Sequence, residues 1–240
     1  MRGSQTPARL TFDGLVMVLF VAGALFLAAR GWLEEHPQHS PWAPLNLNDP
    51  PGWATGSKLV RLREDAEECR AVLERSGVTF VALPAAGEGE CRREDRTVLT
   101  DAPLSPDRPA TTCAIGAALV LWLRQGIQPA AEELLGTGVA RIEHFGAFSC
   151  RRLYGRGSGR WSEHATGNAI DLAAFVLEDG RRISVLRDWT GDDQEAEFLH
   201  RARDEACRVF GTVLSPDYNA AHADHLHFDQ AARGFGGVCR

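Results

Sequence analysis

The 240-residue sequence contains no run of lysine or arginine, and its net charge is −6. The basic face that a nucleic-acid partner would require is therefore missing. No internal repeat appears, which excludes a solenoid or propeller. None of the six cysteines falls in a C-x-x-C pair, so a zinc ribbon and a thioredoxin-like motif are both disfavoured. No small-x-small cleavage site follows the apolar run near the N-terminus, because Leu27 stands where a small residue is needed.

That run is the first feature present. Gly14 to Ala29 carries sixteen residues without a charge, and widening it to Leu10 through Leu33 takes in only Asp13 and Arg30. About 20 apolar residues suffice to cross a bilayer. Residues 1–33 therefore read as an uncleaved membrane anchor, with a cleaved signal peptide as the alternative. Arg2 and Arg9 precede the run, while Glu34 and Glu35 follow Arg30. This charge bias points to a single-pass inner-membrane protein whose C-terminal domain lies in the periplasm. The cysteines agree: Cys69, Cys91, Cys113, Cys150, Cys207 and Cys239 all follow the run, and disulfides persist in oxidising compartments. Cys69 with Cys91 is the expected bridge, as the nearest pair flanking one predicted helix and strand. Residues 34–57 hold five prolines and read as an extended spacer. Residues 58–240 make one domain, and 44% hydrophobic content supplies its core.

Apolar spacing predicts a helix over Lys58–Arg75, with Leu62, Ala66, Cys69 and Leu73 on one face, and a strand over Val78–Leu83. Pro84 to Asp107 is polar, broken only by Val98 and Leu99. Cys113–Gln125 is apolar nearly all round and too short to span a membrane, which suits a central buried helix. Pro129–Leu135 continues as a helix up to Gly136. Val139–His144 and Ala169–Leu177 read as strands. Asp179-Gly180 turns into a return strand over Arg182–Leu186. Asp193–Phe210 is a surface helix with Phe198, Ala202, Cys207 and Phe210 inward. His225–Asp229 closes as a strand. Helices and strands do not alternate regularly, so the expected fold is α+β, with a small antiparallel sheet flanked by helices.

Chemistry concentrates in two clusters. In HLHFD, alternation puts His225, His227 and Asp229 on one face, with Leu226 and Phe228 toward the core. In SEHATGNAID, the Gly167-Asn168 turn can bring His164 back over Asp171. Two histidines, one carboxylate and an open fourth position make a catalytic type of zinc site, whose bound water has a pKa near 7. His36, His39, His144, His200 and His222 read as ordinary polar surface, though His222 lies close to the second cluster.

Ser162, His164, Gly167, Ala169 and Asp171 match S-x-H-x-x-G-x-A-x-D. That pattern resembles the zinc motif of the D-Ala-D-Ala carboxypeptidase and dipeptidase superfamily, which includes murein endopeptidases and the hedgehog signalling domain. Asp224-His225-Leu226-His227 satisfies both forms of its second motif, a carboxylate three before a histidine or H-x-H. More closely, WLRQGIQPAA, GAFSCR, RISVLRDW, ACRVFGTVLSPDYN and HADHLHFD resemble the bacterial extensin-like C-terminal domain family, from about Lys58 onward.

The resemblance implies His164, Asp171 and His227 as zinc ligands. It implies Asp224 or His225 as general base: strand alternation alone favours His225, the carboxylate form of the motif favours Asp224, and the expected base is Asp224 with His225 as a transition-state donor or supporting partner. Arg151 falls where the peptidases steady the substrate carbonyl, and Arg152 is its adjacent rival. Ser162 and Glu163 would orient the loop or support the metal ligands from behind. Trp161 and Trp189 are candidates for a cleft wall. The implied function is a zinc-dependent peptidase acting on peptidoglycan stem or cross-link peptides. The rivals are a zinc-containing module that binds wall peptides or an envelope protein without cutting, and a disulfide-stapled structural protein.

Overall fold

The computed structural model describes residues 12–231 and 237–240. Arg2, Arg9 and Leu10, part of the anchor and topology expectation, lie outside the described residues. Helix α1, Phe12–Glu35, contains the whole uncharged run and ends two residues past Leu33. Its 24 residues rise roughly 36 Å, against a hydrocarbon core of about 30 Å. None of them is buried. By length and composition the helix suits a membrane span or a signal sequence.

Residues 34–57 are not a free spacer. Leu45 and Leu47 enter the hydrophobic core, and Leu47 N donates to Ser76 Oγ at 2.9 Å. The prolines restrict φ and remove donors, but they do not prevent the intervening leucines from packing. Two helices, α2 (Thr55–Arg61) and α3 (Ala66–Arg75), replace the single one expected over 58–75. Asp65 explains the break. Its backbone is non-helical, and its carboxylate accepts from Glu68 N at 2.9 Å, which starts a new helix. Cys69, Val72 and Leu73 face the core from α3.

Strand β1, Phe80–Leu83, pairs antiparallel with β2, Arg96–Leu99, so the short apolar break at Val98 and Leu99 is a strand. Strand β3, Leu104–Ser105, follows. Helix α4, Cys113–Trp122, buries all ten of its residues, as its all-round apolar character requires. A π-helical turn over Leu123–Ile127 leads into α5, Gln128–Leu135. Gly136 ends it at φ 72°, a left-handed conformation that favours glycine.

The main sheet then assembles from β4 (Val139–Gly146), β5 (Ala169–Leu177), β6 (Arg182–Ser184), β7 (Thr212–Leu214), β8 (Leu226–Asp229) and β9 (Val238–Cys239), with β3 at one edge. Between them come α6 (Val185–Asp188) and α7 (Gln194–Cys207). The order is β3-β4-β5-β8-β7-β9, with β6 also on β5. The sheet is mixed rather than purely antiparallel: β3 runs parallel to β4, and β9 to β7. The return strand stops at Ser184 instead of Leu186, because Ser184 N donates to the Asp188 carboxylate at 2.7 Å and the chain turns helical. Trp122 of α4 lies edge-on to Phe228 of β8 at 5.2 Å, and its Nε1 donates to Ala202 O of α7 at 2.9 Å. The core thus sits around α4, between sheet and helices.

Three disulfides form: Cys69–Cys113, Cys91–Cys150 and Cys207–Cys239. The expected Cys69–Cys91 bridge is incorrect. Cys69 points from α3 at the first residue of α4, while Cys91 reaches the loop that precedes β5.

Candidate metal centre

The loop before β5 is built residue by residue. Ser162 Oγ accepts from His164 N at 3.3 Å and opens a short turn, Glu163–Thr166. Gly167 closes it at φ 73°, which a side chain would strain. Asn168, fully buried, donates to Glu163 Oε2 at 2.6 Å and accepts from Thr112 Oγ1 at 3.0 Å. Glu163 also pairs with Arg63 at 3.0 Å. Ser162 and Glu163 therefore orient the loop, as the resemblance implied.

The turn delivers His164 to the face where β5 and β8 meet. Asp171 and His227 are register partners across those strands. His164 Nε2 lies 3.2 Å from Asp171 Oδ1 and 3.1 Å from His227 Nδ1, and His227 Nδ1 lies 2.8 Å from Asp171 Oδ1. All three residues are buried. The other ring nitrogens are committed. His164 Nδ1 stands 3.1 Å from Ala147 O, and His227 Nε2 stands 3.2 Å from Asp229 Oδ2. Both of those oxygens only accept, so His164 Nδ1 and His227 Nε2 carry the protons and the opposite nitrogens turn two lone pairs toward Asp171. Two lone pairs and a carboxylate cannot face one another at this distance without a cation or a proton among them. Ligand atoms on a tetrahedral ion at about 2.0–2.1 Å stand roughly 3.3 Å apart, so the donor set fits zinc.

The electrostatics follow from the same contacts. Burial would raise the Asp171 pKa, but hydrogen bonds with His164 and His227 outweigh it and hold the carboxyl well below the usual range. Burial would lower His227, but hydrogen bonds with Asp171 and Asp229 raise it to about 9. Burial, helped by the charges of His225 and His227, lowers His222 to about 4.

A cavity of about 130 Å³ opens over the cluster, and Arg151, Tyr154, Arg160, Trp161, His222 and His225 help to line it. Asp224 does not line it and instead borders a neighbouring groove with Phe145 and Ala173. Its carboxylate holds His225 Nδ1 at 2.8 Å, while His225 Nε2 lies 3.6 Å from Asp171 Oδ1. Arg151 faces the cavity; Arg152 instead covers the Trp161 ring at 4.4 Å. Trp189 is no part of the wall. It is buried, donates to Asp217 Oδ1 at 2.8 Å, and packs on His200 at 4.5 Å. His144 is not surface either: it is buried and bonds Asp107 O at 3.2 Å. His222 was missed. Its spacing of three before His225 was the available signal, since one turn brings the rings to 5.2 Å. Asp229's role in holding His227 was legible as an i, i+2 neighbour on a strand.

Among known proteins, no curated protein and no solved structure matches the chain. A family profile does match. It is described as the extensin-like protein C-terminus and spans residues 67–240, taking in every cysteine and every residue of the cluster, so the chain belongs to that family.

Proposed function

We propose that the chain is a zinc-dependent peptidase, anchored in a membrane by α1, that acts on peptidoglycan stem or cross-link peptides in the periplasm. One observation carries the metal: His164 Nε2 and His227 Nδ1, with their opposite nitrogens hydrogen-bonded, converge on Asp171 within 3.2 Å. The match of Ser162, His164, Gly167, Ala169 and Asp171 to a peptidase zinc motif supports the reaction class. When bound, zinc supplies a Lewis acid that polarises a carbonyl and lowers the pKa of an attacking water.

The chain's own groups do the rest. His225 takes the proton from the attacking water through Nε2, which faces the cluster. Asp224 fixes the tautomer by accepting from His225 Nδ1 at 2.8 Å. Arg151 and Arg160 bring positive charge to the cavity, where negative charge develops on the substrate carbonyl. Metal analysis of the purified full chain, with mass spectrometry of digested murein, tests the reading. The expected result is one zinc per chain and peptide fragments that vanish with a chelator. Iron, which the same donor set can hold, or no stoichiometric metal would overturn it. Zinc without cleavage would replace it with the binding module.

A further inference from the structure

Where α1 ends, the chain folds back against the domain. His36 N donates to Trp32 O at 3.0 Å, and Ser40 N to Pro37 O at 3.1 Å. The His36 and His39 rings stack with Trp32 at 4.5 and 5.2 Å, and Trp53 meets His39 edge-on at 5.0 Å. The domain grips this turn: Lys58 Nζ donates to Pro37 O at 2.9 Å, Arg61 Nη2 to Pro41 O at 3.0 Å, and Trp53 Nε1 to His39 O. A loose tether would have none of these bonds. Yet Trp42 is 78% exposed and Trp53 73%. Between α1 and the returning chain lies a recess of about 610 Å³, faced by Phe26, Ala29 and Leu33 on the helix and by Trp42 and Ala43 opposite. Arg30 stands at the same recess, its Nε paired with Glu34 at 3.0 Å.

We propose that Trp42 and Trp53 sit in the headgroup layer of the bilayer that α1 crosses, and that the recess takes a phospholipid. The proposal rests on the membrane-span reading of α1. Phe26 stands nine residues before the helix end at Glu35, roughly 13 Å at 1.5 Å per residue. Trp42 shares its recess, so Trp42 lies level with the last apolar turns of the helix. Tryptophan has an apolar body and a polar N–H, which suits headgroup depth. The Arg30 guanidinium offers donors to a phosphate, and the apolar wall of Phe26, Ala29 and Leu33 suits the upper part of an acyl chain. The domain then rests on the membrane surface, and the cluster on β5 and β8 is held at one height above it.

The test uses the full chain in vesicles of phosphatidylethanolamine and phosphatidylglycerol with brominated acyl chains, reading tryptophan fluorescence. Trp122 and Trp189 are buried in the domain and Trp161 lines the cavity over the cluster, so these three stay unquenched. The expected result is strong quenching that falls by at least half in Trp42→Phe with Trp53→Phe, leaving the Trp32 share. Quenching unchanged by that double substitution, in chains that resist alkaline extraction, overturns the seating and leaves the anchor intact. Chains released by alkaline extraction overturn the anchor and the seating together.

Discussion

Asp171 faces His227 across β5 and β8, and this one register would make protonation compete with the proposed metal for the same space. A histidine with a raised folded pKa stabilises fully below its unfolded value near 6.5 and loses that contribution as pH rises through the folded value. For His227 the folded value is about 9. Asp171 works in the opposite sense, contributing above its unfolded pKa, so it is constant in this window. The metal-free protein is therefore expected to lose stability between pH 6.5 and 9, on the order of 3–4 kcal/mol at about 1.4 kcal/mol per unit. Denaturant midpoints across that range check it; a midpoint that climbs with pH would contradict the assignment. Metal affinity should rise over the same interval, because the ion displaces the proton. The base is a second question at this scale. The carboxylate motif favoured Asp224, but Asp224 lies behind His225 and outside the cavity. His225→Ala is expected to keep its metal and lose roughly 10²–10⁴-fold in turnover, while Asp224→Asn loses less. Equal metal content with the larger loss in Asp224→Asn would reverse the roles.

At the scale of elements, the site depends on a loop outside the main sheet, closed on itself by the Arg152–Trp161 bridge. Residues 151–161 carry Arg151, Arg160 and Trp161 to the cavity, and the Cys91–Cys150 disulfide clamps their start. Replacing both cysteines by serine should cost about 2–4 kcal/mol. Because His164, Asp171 and His227 sit on the following turn and on β5 and β8, the metal should remain while KM rises. Thermal denaturation with parallel metal analysis measures both, and a loss of metal equal to the loss of stability would show that the loop also shapes the ligand set. Strand β5 was readable in advance, since Ala169–Leu177 is continuously apolar apart from Asp171. The end of β6 was not, because it depends on the Asp188 carboxylate capping Ser184 N.

For the whole molecule, the domain begins earlier than composition indicated. The family match starts at residue 67, yet Leu45 and Leu47 already belong to the core. Leu47→Ala should destabilise the protein by about 2–5 kcal/mol, the usual cost of emptying a buried leucine site. A chain begun at residue 36 should likewise unfold at higher denaturant than one begun at Lys58. Equal midpoints for the two would mean that 36–57 contributes nothing to the fold.

What the sequence determined alone is local. The spacing of Ser162, His164, Gly167, Ala169 and Asp171 marked the cluster, the all-round apolar run at Cys113 marked the central helix, and the position of the cysteines marked an oxidised body. Each is a pattern within one short window, where side-chain direction follows from backbone period. Tertiary structure decided what lies opposite what. It joined Cys69 to Cys113 and folded the proline-rich stretch onto the domain. These outcomes depend on strand register and on packing between segments far apart in the chain, and no local period encodes them.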